Sequence, residues 1–295
     1  MANEITEAFV KQFADNFKLK SQQLKSRLEK HVLVDSNIVG SSKSVDRVGA
    51  EEDQQRTERY GDSPHMADNF ERRWIDLSDW EWGKLMDDMD QLKMLADPTS
   101  PTIAGGVASL MRRKDKVIIA ALGGSARQGQ DSSATTVVLP AAQKIANGGT
   151  GLTIAKVIAA RGILGRAEAF NEDDPNDELV MVYTMEQLEN MLNIDKFTST
   201  DYNSVKALVA GEVDTWMGFT WVRTQLLPKT AFERFCYAYC KSGVTLGIGK
   251  DITTKLGERP DKKFLPYAYS KQSVGAVRTE DVKVVEIACN EIVSA

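Results

Sequence analysis

The sequence predicts an α+β fold, and three observations carry that reading. One long amphipathic run has clear start and stop signals, short β-type runs alternate with helical ones in the second half of the chain, and no repeat recurs at a period of about 20 to 50 residues, which sets solenoids and propellers aside. The 295 residues suffice for one large domain or two interleaved ones, with a core that needs no disulfides or metals. With 42% apolar and 27% charged residues the chain is too apolar to be disordered as a whole.

The elements follow in order. Within residues 3–30, Ile5, Phe9, Phe13, Phe17, Leu24 and Leu28 recur at spacings near three, four and seven, which predicts an amphipathic helix. Its apolar stripe is to be covered by this chain or by a neighbouring subunit. Residues 32–39 form the first strand-like run. From Lys43 to Arg73 the character changes: six basic and eight acidic side chains stand among few large apolar ones, chiefly Met66 and Phe70. Two readings stand for this segment. It is a solvated loop or linker that buries too little apolar area to offset its ordering entropy, or a long two-stranded excursion ordered by lying on another subunit, its charges pairing across the contact.

Ser78-Asp79-Trp80-Glu81 has capping-box spacing and, with Leu85, Met86, Met89, Leu92 and Leu95, predicts a helix ending at Asp97-Pro98. Ser100-Pro101 then opens a helix whose apolar face runs from Ile103 to Leu122 and which stops at Gly123-Gly124. At 22 residues and about 1.5 Å per residue it spans roughly 33 Å, the scale of an axis on which other elements pack. Residues 125–151 read as a loop with an embedded strand at 135–139. Thereafter 152–164 reads as helix and 178–183 as strand, and Thr184-Met185-Glu186-Gln187 caps a helix to Asn193. A short helix at 203–210 and strands at 213–221, 234–240, 244–249, 273–278 and 282–289 complete the set.

Composition narrows function. With 37 basic against 42 acidic residues the net charge is −5, and the pI is near 5.3, which argues against a surface for gripping phosphate backbones. Three cysteines, an odd number, leave at least one thiol unpaired and predict synthesis in a reducing compartment. No uncharged apolar run approaches the roughly 18 residues of a membrane span, and the first twenty residues lack a signal-peptide apolar block. No membrane partner is expected.

The chain's partial matches to catalytic patterns each fail on spacing or on a missing partner. His31 and His65 stand near no triad partner; His31 marks the end of the first helix and His65 an exposed charged segment. Cys236 and Cys240 share a strand face without the Cys-x-x-Cys spacing of a metal site, so they read as buried thiols. Asp87-Asp88-Met89-Asp90 has Gln91 where a magnesium motif needs a fifth-position carboxylate. Gly124 to Gly129 resembles a phosphate loop, but Gln130-Asp131 replace the Lys-Ser/Thr. Gly148-Gly149-Thr150-Gly151 is a weak candidate for holding an anion on backbone N–H groups. No catalytic residue, cofactor or metal is predicted.

Several stretches resemble, in order, one family. They are Arg72-Arg73-Trp74 leading to Trp80, residues 92–101 (LKMLADPTSP), the helix end 118–123 (IIAALG), 217–221 (MGFTW), 258–262 (ERPDK) and 275–278 (GAVR). Together they are similar to the major capsid proteins of tailed bacteriophages with the Hong Kong 97 type fold. The resemblance implies residues 1–40 as an N-terminal arm, 41–78 as an extended loop, 79–135 as a peripheral domain with a spine helix, 136–264 as an axial domain and 265–295 as the return to the peripheral domain. It implies a non-enzymatic subunit that assembles with itself, as pentamers and hexamers, into an icosahedral shell in the host bacterial cytoplasm. Portal and scaffolding proteins would be partners, and packaged DNA would be enclosed without sequence-specific binding. Inter-subunit contacts are expected at Phe9, Phe13 and Phe17 of the arm and at Arg56, Arg59, Arg72 and Arg73 of the loop. Three rivals are an encapsulin-like bacterial compartment, a metal-dependent α+β enzyme using Glu81, Asp87 or Asp90, and an oligomeric binding module.

Overall fold

The computed structural model describes residues 19–49, 53–59, 63, 65, 70–86, 99–130, 135–171, 177–192 and 215–291. Their strands and helices run β1 (Leu33–Ser36), β2 (Ser42–Val48), β3 (Phe70–Asp76), β4 (Ser78–Leu85), α1 (Thr99–Gly123), β5 (Ala126–Gln128), β6 (Thr135–Val137), β7 (Lys144–Ile145), α2 (Ile154–Arg166), β8 (Leu179–Tyr183), α3 (Met185–Leu192), β9 (Thr215–Trp216), β10 (Phe219–Arg223), β11 (Glu233–Cys240), β12 (Val244–Arg259), β13 (Leu265–Arg278) and β14 (Val284–Asn290). The fold is α+β, as the sequence predicts. The chain divides into two units, one of Met1–Ser26, Asp79–Arg113 and Asp251–Ser273, the other of Arg27–Ser78, Lys114–Lys250 and Val274–Ala295.

The larger unit is organised by a six-stranded sheet ordered β7-β14-β11-β8-β10-β9. All five residues of β8, Leu-Val-Met-Val-Tyr, are buried, the unbroken apolar run needed by a strand covered on both faces. It lies parallel to β10 and antiparallel to β11, which pairs antiparallel with β14 from Glu233–Asn290 to Tyr239–Val284. Against β14 and β11 packs α2, whose Val157, Ala160 and Leu164 are buried at helical spacing. A second sheet in this unit is ordered β2-β3-β5-β6, beside a small core of Ile38, Ile75, Ala126 and Val277. Gly247 makes room for that core: a Cβ there would stand 2.7 Å from both Ile38 and Ile75.

The smaller unit holds β4, the first part of α1 and the distal parts of β12 and β13. Gly106 lets the Trp82 indole lie against the helix, since a Cβ would meet it at 2.4 Å, and the Arg113 guanidinium sits 3.9 Å from the Trp80 ring centroid. Gln272 donates to Leu110 O at 2.9 Å.

Several sequence expectations are corrected. Within the expected 3–30 helix, residues 19–28 are irregular; the backbone N–H groups of Arg27 and Leu28 donate to the Asp115 carboxylate at 3.2 Å. Residues 78–85 are a strand, not a helix start, because Trp80 and Trp82 alternate with polar neighbours at period two. The predicted strand 213–221 is two strands joined by a turn in which Met217 (φ 53°) and Gly218 (φ 75°) are left-handed. Strand β12 runs ten residues past the predicted 249, to Arg259. Gln187 does not serve as a capping residue for α3, since its Oε1 accepts from Leu152 N at 3.1 Å. The expected helical stretches 87–97 and 203–210 lie outside the described residues.

Candidate subunit-contact surfaces

The charge-dense segment forms the antiparallel pair β2–β3 at its base, the two-stranded part of the second reading, and its charges pair within the chain. Its register sets Asp46 opposite Arg72 and Arg47 opposite Glu71. The Arg72 guanidinium grips Asp46 through two bonds, 2.5 and 3.0 Å, and Arg47 pairs with Glu71. The Arg72 hydrogen bond holds the exposed Asp46 carboxyl below its ordinary range. Exposed pairs of this kind add little stability, but they fix register: a one-residue slip would bring Asp46 against Glu71. At the end of the pair Val48 faces Phe70 directly, and these side chains are 62% and 67% exposed. Beside them an open groove of about 340 Å³ is lined by Asp46, Phe70, Glu71, Arg72 and Gln128 to Gln130. Trp74 Nε1–H donates to Gly129 O at 2.9 Å, with the guanidinium groups of Arg72 and Arg127 5.9 and 5.6 Å from its ring centroid.

Of the contact residues expected from sequence, Phe9, Phe13 and Phe17 lie outside the described residues. Arg56 and Arg59 are exposed on the stretch 53–59, where Arg56 folds back to the carbonyls of Glu58 and Arg59. Arg72 is in the β2–β3 ladder. Arg73, expected at a contact, is 2% exposed and donates to Asp281 at 2.8 Å inside the same unit, so its own subunit buries it.

That contact belongs to a clamp which the sequence reading missed. Arg278, fully buried, donates to Leu122 O (3.1 Å), Gly124 O (2.7 Å), Val137 O (3.3 Å) and Asp281 Oδ1 (2.6 Å). Asp281 thus binds two buried guanidiniums and ties β3 to the end of α1 and to β6. A second anchor joins the chain before β1 to α1, where Lys114 Nζ meets Glu29 at 2.9 Å and Leu28 is buried. The only linear hint of this anchor is the charged run Arg112 to Lys116 interrupting the apolar face of α1.

The motifs weighed for chemistry have structural uses. In the Gly148 to Gly151 run the two left-handed glycines, Gly148 and Gly149, shape a turn that presents oxygens instead of N–H groups. Lys156 Nζ lies 2.7 to 3.0 Å from the carbonyls of Asn147, Thr150, Gly151 and Ala288. The run therefore surrounds a cation, correcting the anion reading. Burial pulls the Lys156 pKa down, against the opposing pull of Cys289, Cys236 and Glu233. Cys236, Cys240 and Cys289 are free and buried, and burial together with Asp177 pushes Cys240 up to about 11. Glu81 accepts from the Tyr269 hydroxyl at 2.8 Å, while Asp87 and Asp90 lie outside the described residues. His31 ends a short 3-10 turn beside Glu178, 3.2 Å away, and His65 is exposed. Among the described residues no cluster of His, Cys, Asp and Glu could hold a metal ion, and no helix is long and apolar enough to cross a membrane.

A family model described as phage capsid protein matches residues 5–291. No curated protein sequence matches. Among solved structures, the capsid of Ralstonia phage GP4 superposes with a TM-score of 0.75 at 12% identity, covering 97% of this chain and 96% of that one. The capsid of cyanophage P-SCSP1u gives 0.71 at 14%, with 98% and 95% covered, and Mycobacterium phage Che8 gives 0.70 at 15%, with 95% and 97% covered.

Proposed function

The chain belongs to the phage capsid protein family, and from that premise we propose that its copies close, as pentamers and hexamers, into the icosahedral shell around the double-stranded DNA of a tailed bacteriophage. It is a structural major capsid protein with the Hong Kong 97 type fold. The observation that carries the reading is the family match over residues 5–291. The encapsulin-like alternative is not favoured, since the family and the superposed structures are those of phage capsids.

The physical features agree. A specific protein contact needs roughly 1,000 Å² or more, and the β2–β3 pair offers side chains its own subunit does not bury. We assign Arg56, Arg59 and Arg72, with the arm residues Phe9, Phe13 and Phe17, to contacts between copies. The division into arm (1–40), extended loop (41–78), peripheral domain (79–135), axial domain (136–264) and return (265–295) belongs to the same proposal. So do a portal partner, a scaffolding partner and assembly in the host bacterial cytoplasm. A net charge of −5 suits a wall that encloses DNA without gripping its phosphates.

Electron microscopy of the purified protein, with light scattering for mass, tests the proposal. Closed particles of megadalton mass are expected, unaffected by chelator. A species that stays small even when produced with the neighbouring phage genes would overturn it.

A further inference from the structure

The six-stranded sheet carries a pair of thiols that the capsid reading leaves unused. Strands β11 and β14 run antiparallel with Arg234 opposite Cys289 and Cys236 opposite Ile287. Cys236 and Cys289 therefore lie on one face of the sheet as diagonal neighbours across the ladder. Both are buried and free. Helix α2 packs on these two strands, and its Lys156 Nζ, 2.9 Å from Ala288 O, sets a positive charge beside the pair. A hydrogen bond from Cys236, joined by that ammonium, holds the Cys289 thiol below its ordinary range although burial opposes it; the same bond and burial push Cys236 up. The two sulfurs thus differ as the members of a reactive dithiol do: one is favoured as the thiolate, and the other keeps its proton beside it. The third cysteine, Cys240, ends β11 beside Leu179 of β8 and donates to Asp177 at 2.6 Å, away from this pair.

Position supplies access. Cys289 is the next-to-last residue of β14, and strand ends open before the middle of a sheet does. Beyond it the strand is tied down by Asn290 N–H to Thr150 O at 2.8 Å and by Glu291 to Arg234 at 2.7 Å. Opening at this end admits a small oxidant and gives Cys289 the freedom to take up disulfide geometry with Cys236. We propose that Cys236 and Cys289 are a redox-active dithiol that a hydroperoxide converts to an intrachain disulfide, with Cys289 as the attacking sulfur. In the first step the Cys289 thiolate attacks one peroxide oxygen; an S–O bond forms, the O–O bond breaks, and the departing hydroxide takes the proton that Cys289 gave up. In the second, Cys236 attacks the sulfenic sulfur; the S–S bond forms, the S–O bond breaks, and the hydroxide leaves as water with the Cys236 proton. Two thiols are oxidised and hydrogen peroxide is reduced to water. The bond would pin the end of β14 to β11.

Peptide mapping of the wild-type protein under non-reducing conditions tests it. After hydrogen peroxide at an exposure that fully oxidises glutathione, the fragments holding Cys236 and Cys289 should be joined within one chain, while Cys240 still takes up a maleimide after denaturation. The oxidised subunit should melt about 5 °C higher, and dithiothreitol should reverse the shift. In Cys236→Ser the oxidation should stop at Cys289 sulfenic acid, which dimedone captures; in Cys289→Ser the loss of the Cys236 thiol should slow by about tenfold or more. Wild-type protein that keeps all three thiols, loses Cys240 as fast as the pair, forms links only between chains, or carries sulfinic acid at Cys289 with Cys236 still free overturns the proposal. The pair lies within one subunit, so each of these outcomes leaves the shell reading untouched.

Discussion

Strands β8 and β3 belong to the same unit and are held by opposite means. In β8 every side chain is buried, and its neighbours β10 and β11 give it apolar contact along its length. Strand β3 reads Phe-Glu-Arg-Arg-Trp-Ile-Asp: two of its side chains, Arg73 and Ile75, are buried, and the others are half-buried or exposed. The six-stranded sheet is held by apolar burial, whereas the β2–β3 pair takes its register from exposed ion pairs and its attachment from pairing with β5, from Ile75 in a small core and from the clamp at Asp281. Stability of the subunit and readiness to meet a neighbour are thereby assigned to different surfaces, and each can be disturbed without the other.

The largest effect should come from the clamp. Asp281→Ala leaves Arg73 and Arg278 buried without their shared carboxylate, and loss of one partner from such an arrangement costs about 4 kcal/mol, measurable by urea unfolding. A loss below about 1 kcal/mol would show that the β2–β3 pair does not depend on the clamp. In the apolar sheet, Met181→Ala opens a cavity in the middle of β8 and should cost about 3 kcal/mol, with little sensitivity to salt. A strongly salt-dependent loss would erase the contrast between the two regions.

Acid supplies the next effect. Arg234 chiefly, with Lys229, holds the Glu291 carboxyl at about 2, below its ordinary 4.5. Because the folded value is depressed, the stabilisation is present above about pH 4.5 and is lost as pH falls towards 2. Glu291→Gln should cost about 2 kcal/mol at pH 7 and flatten the acid limb of a thermal-melt profile between those values. An unchanged acid limb would mean that another group governs it. The smallest effect on folding should come from Arg56→Glu, Arg59→Glu and Arg72→Glu together: a Tm shift of about 2 °C or less, with a marked fall in shell yield. Normal yield would remove these arginines from the contact, and a large Tm shift would make them structural.

Much of this division was legible in the sequence, and its failures have physical causes. Helix α1 was readable because proline at its start, a periodic apolar face and paired glycines at its end all agree. The apolar strands β8 and β11 were readable because burial on both faces requires continuous apolar runs. Residues 78–85 misled because Ser78 and Glu81 satisfy helix-cap spacing locally, while the strand is selected by Trp82 packing on Gly106, a contact with a distant residue. The long β12 escaped because its distal half, Asp-Ile-Thr-Thr-Lys-Leu-Gly-Glu-Arg, is largely exposed and shows no buried alternation. Arg73 looked like a surface arginine among charged neighbours. Its partner Asp281 is 208 residues away, and no local pattern can reveal a pairing across that separation.

The ammonium of Lys156 has a further consequence. It sits among four carbonyl oxygens, as a bound cation would, but it is covalently part of α2. A loop closed by a dissociable ion depends on the medium: chelators, dilution and competing cations all loosen it. Here the counterpart of that ion is encoded in the chain and cannot be washed out or exchanged. This corner of the subunit therefore needs no free ion from the medium to stay closed.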